Sequence, residues 1–177
     1  YSLLKEFEEI IYSPTSSKDK NAHKSSSPLL KKGEDTFELL RSYNKHFSAI
    51  FSTNNYAICE NWGFDNLISV LKDTAESDIW IPPLLMYWQN FGNQKAFDFL
   101  VKLDNKFSGD WIARETPTTR LESMNIILKK IGERSAMNLT PEQKIEELFN
   151  STVFTFDSKE FIRHIETSSI YGRRSAR

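Results

Sequence analysis

One cysteine stands in the whole chain, Cys59, so neither an internal disulfide nor a cysteine-based zinc site can form. A reducing, cytoplasmic setting fits that usage. Glycine and proline are scarce, six of each in 177 residues, whereas a sandwich or barrel needs many tight turns. Charge of neither sign prevails. The 23 basic and 24 acidic side chains leave a net charge of −1, so no global field draws the chain to nucleic acid or to an anionic membrane. Long apolar runs are missing as well. The longest, Ile79 to Trp88, is interrupted by Pro82 and Pro83 and is shorter than the roughly 20 residues a membrane span requires.

Aromatic side chains are plentiful. They make up 13% of the chain, with thirteen Phe and four Trp, and predict a Phe-rich core that packs large groups between helices. With 39% hydrophobic and 27% charged residues, the composition is that of a soluble domain able to bury a core. The length suits one domain, so residues 1–177 read as a single α-helical module.

Hydrophobic periodicity predicts an all-α fold of about seven to eight helices. Tyr1 to Tyr12 carries a stripe of Leu3, Leu4, Phe7, Ile10 and Ile11, stopped by Pro14. Residues 14–33 turn to Ser, Lys, Asn and Pro and read as a flexible loop. Its lysines, among them Lys31 and Lys32, suit phosphate contact, but a solvated loop is the simpler reading. Asp35 is expected to cap a helix with Phe37, Leu40, Tyr43 or Asn44, Phe47 and Ile50 or Phe51 on one face, ended by Asn54-Asn55. A shorter helix from Phe64 to Thr74 buries Leu67, Ile68 and Leu71. Asp78 and Pro82-Pro83 start the next, with Leu85, Trp88 and Phe91 inward. Gly92-Asn93 leads into a helix from Gln94 whose inner face is read as Phe97, Leu100, Val101 and Asp104. Ser108-Gly109-Asp110 is expected to break or bend it.

Thr116-Pro117 then opens a long helix, because proline's missing N–H has no partner to lose in the first turn. Thr119 with Glu122 spells a second, overlapping capping box, and Leu121, Met124, Leu128 and Ile131 form the inner stripe. Thr140-Pro141-Glu142-Gln143 starts another helix with Ile145, Leu148 and Phe149 inward. Ser151 to Phe156 reads as an extended connector, and Asp157 with Glu160 caps a last helix bearing Phe161, Ile162 and Ile165. Residues 170–177 read as the start of a following segment. Tyr1 without an initiator Met, and an end rich in arginine, suggest cuts inside a longer protein.

Catalytic patterns are wanting. His23, His46 and His164 are far apart and pair with no second ligand at helical spacing, so no metal or other cofactor is expected. The glycines stand singly and form no phosphate loop, and no serine elbow occurs. Cys59 reads as a small buried thiol. The carboxylate pairs Glu8/Glu9, Asp73/Glu76 and Glu146/Glu147 read as solvated. Two features suit a partner: the tail Arg173, Arg174 and Arg177 beside Tyr171, for DNA phosphate, and an aromatic group of Trp62, Trp80, Tyr87, Trp88 and Trp111. The tail also reads as a solvated helix start, and the aromatic group as ordinary core.

Three segments, Phe107-Ser108-Gly109-Asp110-Trp111-Ile112, Thr116-Pro117-Thr118-Thr119-Arg120 and Tyr171-Gly172-Arg173-Arg174-Ser175-Ala176-Arg177, resemble the helical middle region of the GmrSD-type modification-dependent restriction endonuclease family. In that family a ParB-like nucleotide-hydrolysing domain with an Asp-Gly-Gln-Gln-Arg motif precedes the helices, and many members end in an HNH-type nuclease domain. Neither motif occurs here, and Ser175 replaces a larger apolar residue expected there. The resemblance therefore implies a non-catalytic fragment of a nucleotide-dependent DNA endonuclease acting in phage defence in a bacterial or archaeal cytoplasm. Its partners would be adjacent domains of the same polypeptide and the DNA backbone, met by Arg173, Arg174, Arg177, Lys31 and Lys32. Two rival readings remain: a protein-interaction module with a Phe/Trp-rich groove, and an enzyme with a pocket around Cys59, Trp62 and His46.

Overall fold

The computed structural model describes residues 34–51 and 61–167, and among these every regular element is helical. The protein is all-α. In chain order the elements are α1 (Glu34–Phe51), α2 (Trp62–Thr74), α3 (Ile81–Phe91), α4 (Ala96–Ile112), α5 (Pro117–Ser135), α6 (Pro141–Phe149), a 3₁₀ turn (Thr152–Phe154) and α7 (Ser158–Thr167). The chain divides into two compact units, residues 1–44 and 45–177, a finer division than the single module read from composition. Of the first unit the described part is the opening of α1, where Phe37 and Leu40 are exposed. Glu34 and Asp35 already belong to the helix, so Asp35 is not its cap. The predicted helix at Tyr1–Tyr12, the loop 14–33 and the Asn54-Asn55 stop lie outside the described residues.

In the second unit α4 packs on α2, α3 and α7, while α5 packs on α3 and α6. Local chemistry explains where the helices begin. Asn61 caps α2 by accepting from the Gly63 N–H at 2.8 Å and the Phe64 N–H at 3.4 Å. Two prolines enter the first turn of α3, and Gly92, at φ +62°, ends that helix in the left-handed region a side chain resists. Thr116 accepts from the Thr119 N–H and caps α5. Thr119 sits within the first turn and is not a cap, so the second box with Glu122 is not made. At α6 the box is complete: the Gln143 N–H donates to Thr140 Oγ1, and the Thr140 N–H to Gln143 Oε1. Asp157 Oδ1 accepts from the Lys159 and Glu160 N–H groups at the head of α7.

The core is aromatic. Tyr87 and Phe99 stack with centroids 4.0 Å apart, and Phe154 meets Phe99 edge-on at 6.0 Å. Tyr87 also donates its hydroxyl to the Gln94 carbonyl at 2.6 Å. Its phenol is pushed far above the ordinary range by burial first and the charge of Asp98 second, so it stays neutral at every physiological pH.

Several inner faces differ from the sequence reading. On α4 the buried residues are Ala96, Phe99, Leu100, Leu103, Phe107, Gly109 and Asp110, not Phe97, Val101 and Asp104, a turn of about one residue or 100° around the helix. Both stripes alternate apolar residues at helical spacing, and only the neighbours decide between them. Phe97 instead covers α2, where a Cβ on Gly63 would lie 2.8 Å from its ring. The helix also runs unbroken through Ser108-Gly109-Asp110 to Ile112. On α3 Leu84 and Tyr87 are the deepest and Leu85 is half-buried. On α5 Ile127 joins Met124 and Ile131, with Leu121 and Leu128 at the margin. Ile68 and Leu71 of α2 are buried as read, with Phe64 beside them and Leu67 partly covered. Phe149 of α6 likewise packs only at the core's edge. The Ser151–Phe156 connector is wound into the 3₁₀ turn, which seats Phe154 on Phe99. Ile162 and Ile165 of α7 are exposed, and Phe161 is half-buried against Phe156.

Candidate functional site

The last turns of α2 and α4 enclose a cleft of about 240 Å³. The end of α2 contributes Leu71 and Thr74, followed by Ala75 and Glu76; α4 contributes Phe107, Ser108 and Trp111. Leu71 and Phe107 are buried and form its floor, whereas Trp111 keeps 42% of its surface exposed. The cleft is smaller than the roughly 300–1,000 Å³ of a small-molecule pocket.

Both hydroxyl protons around the cleft are already committed. The Thr74 hydroxyl donates to the Val70 carbonyl at 2.7 Å, and the Ser108 hydroxyl to Asp104 Oδ1 at 2.8 Å. Glu76 faces Arg120 across 3.9 Å, an ion pair too long for a hydrogen bond. The Arg120 side chain is only 13% exposed, and its Nε and Nη1 have no hydrogen-bond partner among the described residues.

One turn behind the cleft lies a charge pair in the interior. Lys106 Nζ and Asp110 Oδ1 are 2.8 Å apart with 12% and 4% of the two side chains exposed, and Asp110 Oδ2 has no partner among the described residues. Two local rules are broken here. A carboxylate in the last turn of a helix opposes the macrodipole, and lysine four residues before an acid is the weaker order of that pair.

Gly109 adds a close fit, because a Cβ there would lie 2.5 Å from the Phe156 ring. Gly109→Ala is expected to lower stability by about 1–2 kcal/mol, overpacking outweighing the gain in helix propensity. Urea unfolding checks the loss, and amide exchange should quicken most in α7, beyond Phe156. Unchanged or raised stability would show that the ring does not hold that position.

Residues singled out in the sequence are dispersed by the fold. Trp80, Tyr87 and Trp88 are buried in the core, Trp62 is 66% exposed, and Trp111 alone of the five lines the cleft. His46 lies 2.8 Å from Gln89 Oε1, and His164 faces Glu160. Among the described residues no three His, Cys, Asp or Glu side chains gather to hold a metal. Glu146 and Glu147 pair at the surface with Lys95 and Arg134. Cys59, His23, Glu8, Glu9, Lys31, Lys32, Arg173, Arg174 and Arg177 lie outside the described residues. Glu76, Thr74 and Ser108 were missed as site residues, and no spacing rule connects a helix end to a serine some thirty positions on.

The described helices thus form an all-α module whose polar side chains mostly secure helix ends and helix contacts. No helix in them is long and apolar enough to cross a membrane. No family model, curated protein or solved structure gives a match to this chain.

Proposed function

We propose that this chain is a non-catalytic helical module of a GmrSD-like DNA restriction or defence protein in a bacterial or archaeal cytoplasm. It holds neighbouring nuclease domains of the same polypeptide in relative position and adds DNA-backbone contacts. The observation that supports this reading is the use made of the two described segments that carry the resemblance. Ser108 bonds within α4, Asp110 pairs with Lys106, Gly109 makes room for Phe156 and Thr116 caps α5. Residues of those types would equally suit chemistry, and here each serves packing.

DNA contact falls to Arg173, Arg174, Arg177, Lys31 and Lys32, and the test is a salt titration of binding to duplex DNA. Arg173→Ala/Arg174→Ala should reduce the slope of log K against log salt by about two, one for each lost phosphate contact. Equal slopes would remove the DNA contact and leave positioning alone. Hydrolysis of nucleotide or DNA by the isolated chain, abolished by substituting one of its own carboxylates, would overturn the non-catalytic reading.

A second reading, a groove for a partner segment, keeps one observation in its favour. That observation is the cleft beside Trp111, open where the other described tryptophans of the predicted group are either largely exposed or in the core.

A further inference from the structure

The cleft between the ends of α2 and α4 is lined by three side chains that can accept hydrogen bonds, Thr74, Glu76 and Ser108, against one side-chain donor, the Trp111 indole N–H. Thr74 and Ser108 have each spent their single hydroxyl proton, on the Val70 carbonyl and on Asp104, so towards a ligand their oxygens can act only as acceptors. Glu76 contributes a carboxylate, 48% exposed, that accepts no hydrogen bond among the described residues. Two helices also bring their negative ends to this place, since α2 stops at Thr74 and α4 at Ile112. A donor-rich cation is what such a wall complements.

The rest of the cleft narrows the class. Leu71, Ala75 and Phe107 form an apolar surface that would take an aliphatic stem, and the half-exposed Trp111 indole stands beside it. A guanidinium supplies five N–H donors in a plane, stacks on aromatic rings and loses its hydration shell at lower cost than an ammonium. Arg120 does not fill this role. Its own guanidinium is mostly buried and lies beyond hydrogen-bond range of Glu76.

We propose that this cleft is a docking site for an arginine side chain carried on a partner peptide, with the stem on Leu71 and Phe107, the guanidinium donating to Glu76, and Trp111 alongside. The proposal names the partner chemistry of the second reading above and rests on it.

The probe is an acetylated and amidated Ala-Arg-Ala peptide, compared with its citrulline and lysine versions. Citrulline has nearly the same shape without the charge. Binding is followed by the indole N–H resonance of Trp111 in the ¹⁵N-labelled chain, assigned with Trp111→Phe. The arginine peptide should shift that resonance saturably, with the citrulline peptide about tenfold weaker for want of a charge-assisted bond. The lysine peptide should fall between them, and 1 M salt should weaken the arginine peptide most. In Glu76→Gln the arginine and citrulline peptides should bind alike. Equal binding of arginine and citrulline peptides to the wild-type chain would sink the arginine assignment while leaving a peptide groove, as would stronger binding of lysine. A resonance that no peptide moves would sink the groove as well. Both of these outcomes are read on the wild-type chain and hold even if Glu76→Gln folds poorly.

Discussion

Phe99→Ala is expected to lower the unfolding free energy by about 3–5 kcal/mol, a large share of what a domain of this size possesses. Phe99 is fully buried, stacked on Tyr87 at 4.0 Å and met edge-on by Phe154 at 6.0 Å. Truncation removes the ring's transfer free energy and leaves a cavity bounded by α3, α4 and the 3₁₀ turn, where aromatic neighbours collapse poorly. The informative control is Val101→Ala on the same helix. Val101 is only half-buried, and its loss is expected to cost about 1 kcal/mol or less. Urea denaturation of both variants therefore reads the rotation of α4 directly. Comparable losses, or a larger one for Val101, would restore the face read from the sequence.

Asp110→Ala is expected to cost a similar amount, about 3–5 kcal/mol, for a different reason. The pair it makes with Lys106 is almost wholly out of water, with side-chain exposures of 4% and 12%. Removing the carboxylate strands an ammonium in the interior. The double substitution Lys106→Met/Asp110→Leu should recover most of the loss, because it removes the desolvation penalty along with the attraction. A double-mutant cycle measured by chemical denaturation reports the coupling. A single-variant loss below about 1 kcal/mol would place the pair in water and refute the burial.

These two positions mark where sequence reading succeeds and where it stops. The opening of α6 was legible in four residues, since Thr140 and Gln143 satisfy each other's backbone N–H groups without outside help. Pro117 after Thr116, and Asp157 before α7, were legible in the same way. The inner face of α4 was not. Phe97, Phe99, Leu100, Val101 and Leu103 occupy more than half of the helix circumference, so two stripes are equally apolar and only the packed neighbours, α2, α3, α5, α7 and the 3₁₀ turn, choose between them. Gly109 shows the same limit. A glycine flanked by Ser and Asp reads as a break or a bend, yet it serves as a flat place against the Phe156 ring within a continuous helix.

The candidate site was less legible than the fold. Trp111 was grouped with four other aromatics by residue type, and three of those proved to be core while Trp62 stands exposed. Glu76 looked like one more solvated carboxylate, and Ser108 like a helix breaker. Their approach depends on α2 ending beside the last turn of α4, a relation between elements separated by all of α3.

By itself, then, the amino-acid order determined that the chain is helical, where α5, α6 and α7 start, and that its interior is rich in aromatic side chains. Those properties follow from interactions within three or four residues, which the chain makes wherever it finds itself. Tertiary structure decided which side of α4 turns inward, that Asp110 and Lys106 leave water together, and that Thr74, Glu76, Ser108 and Trp111 share a cleft. Each of these depends on surfaces distant in sequence meeting at a given angle, and burial and desolvation exist only once they have met.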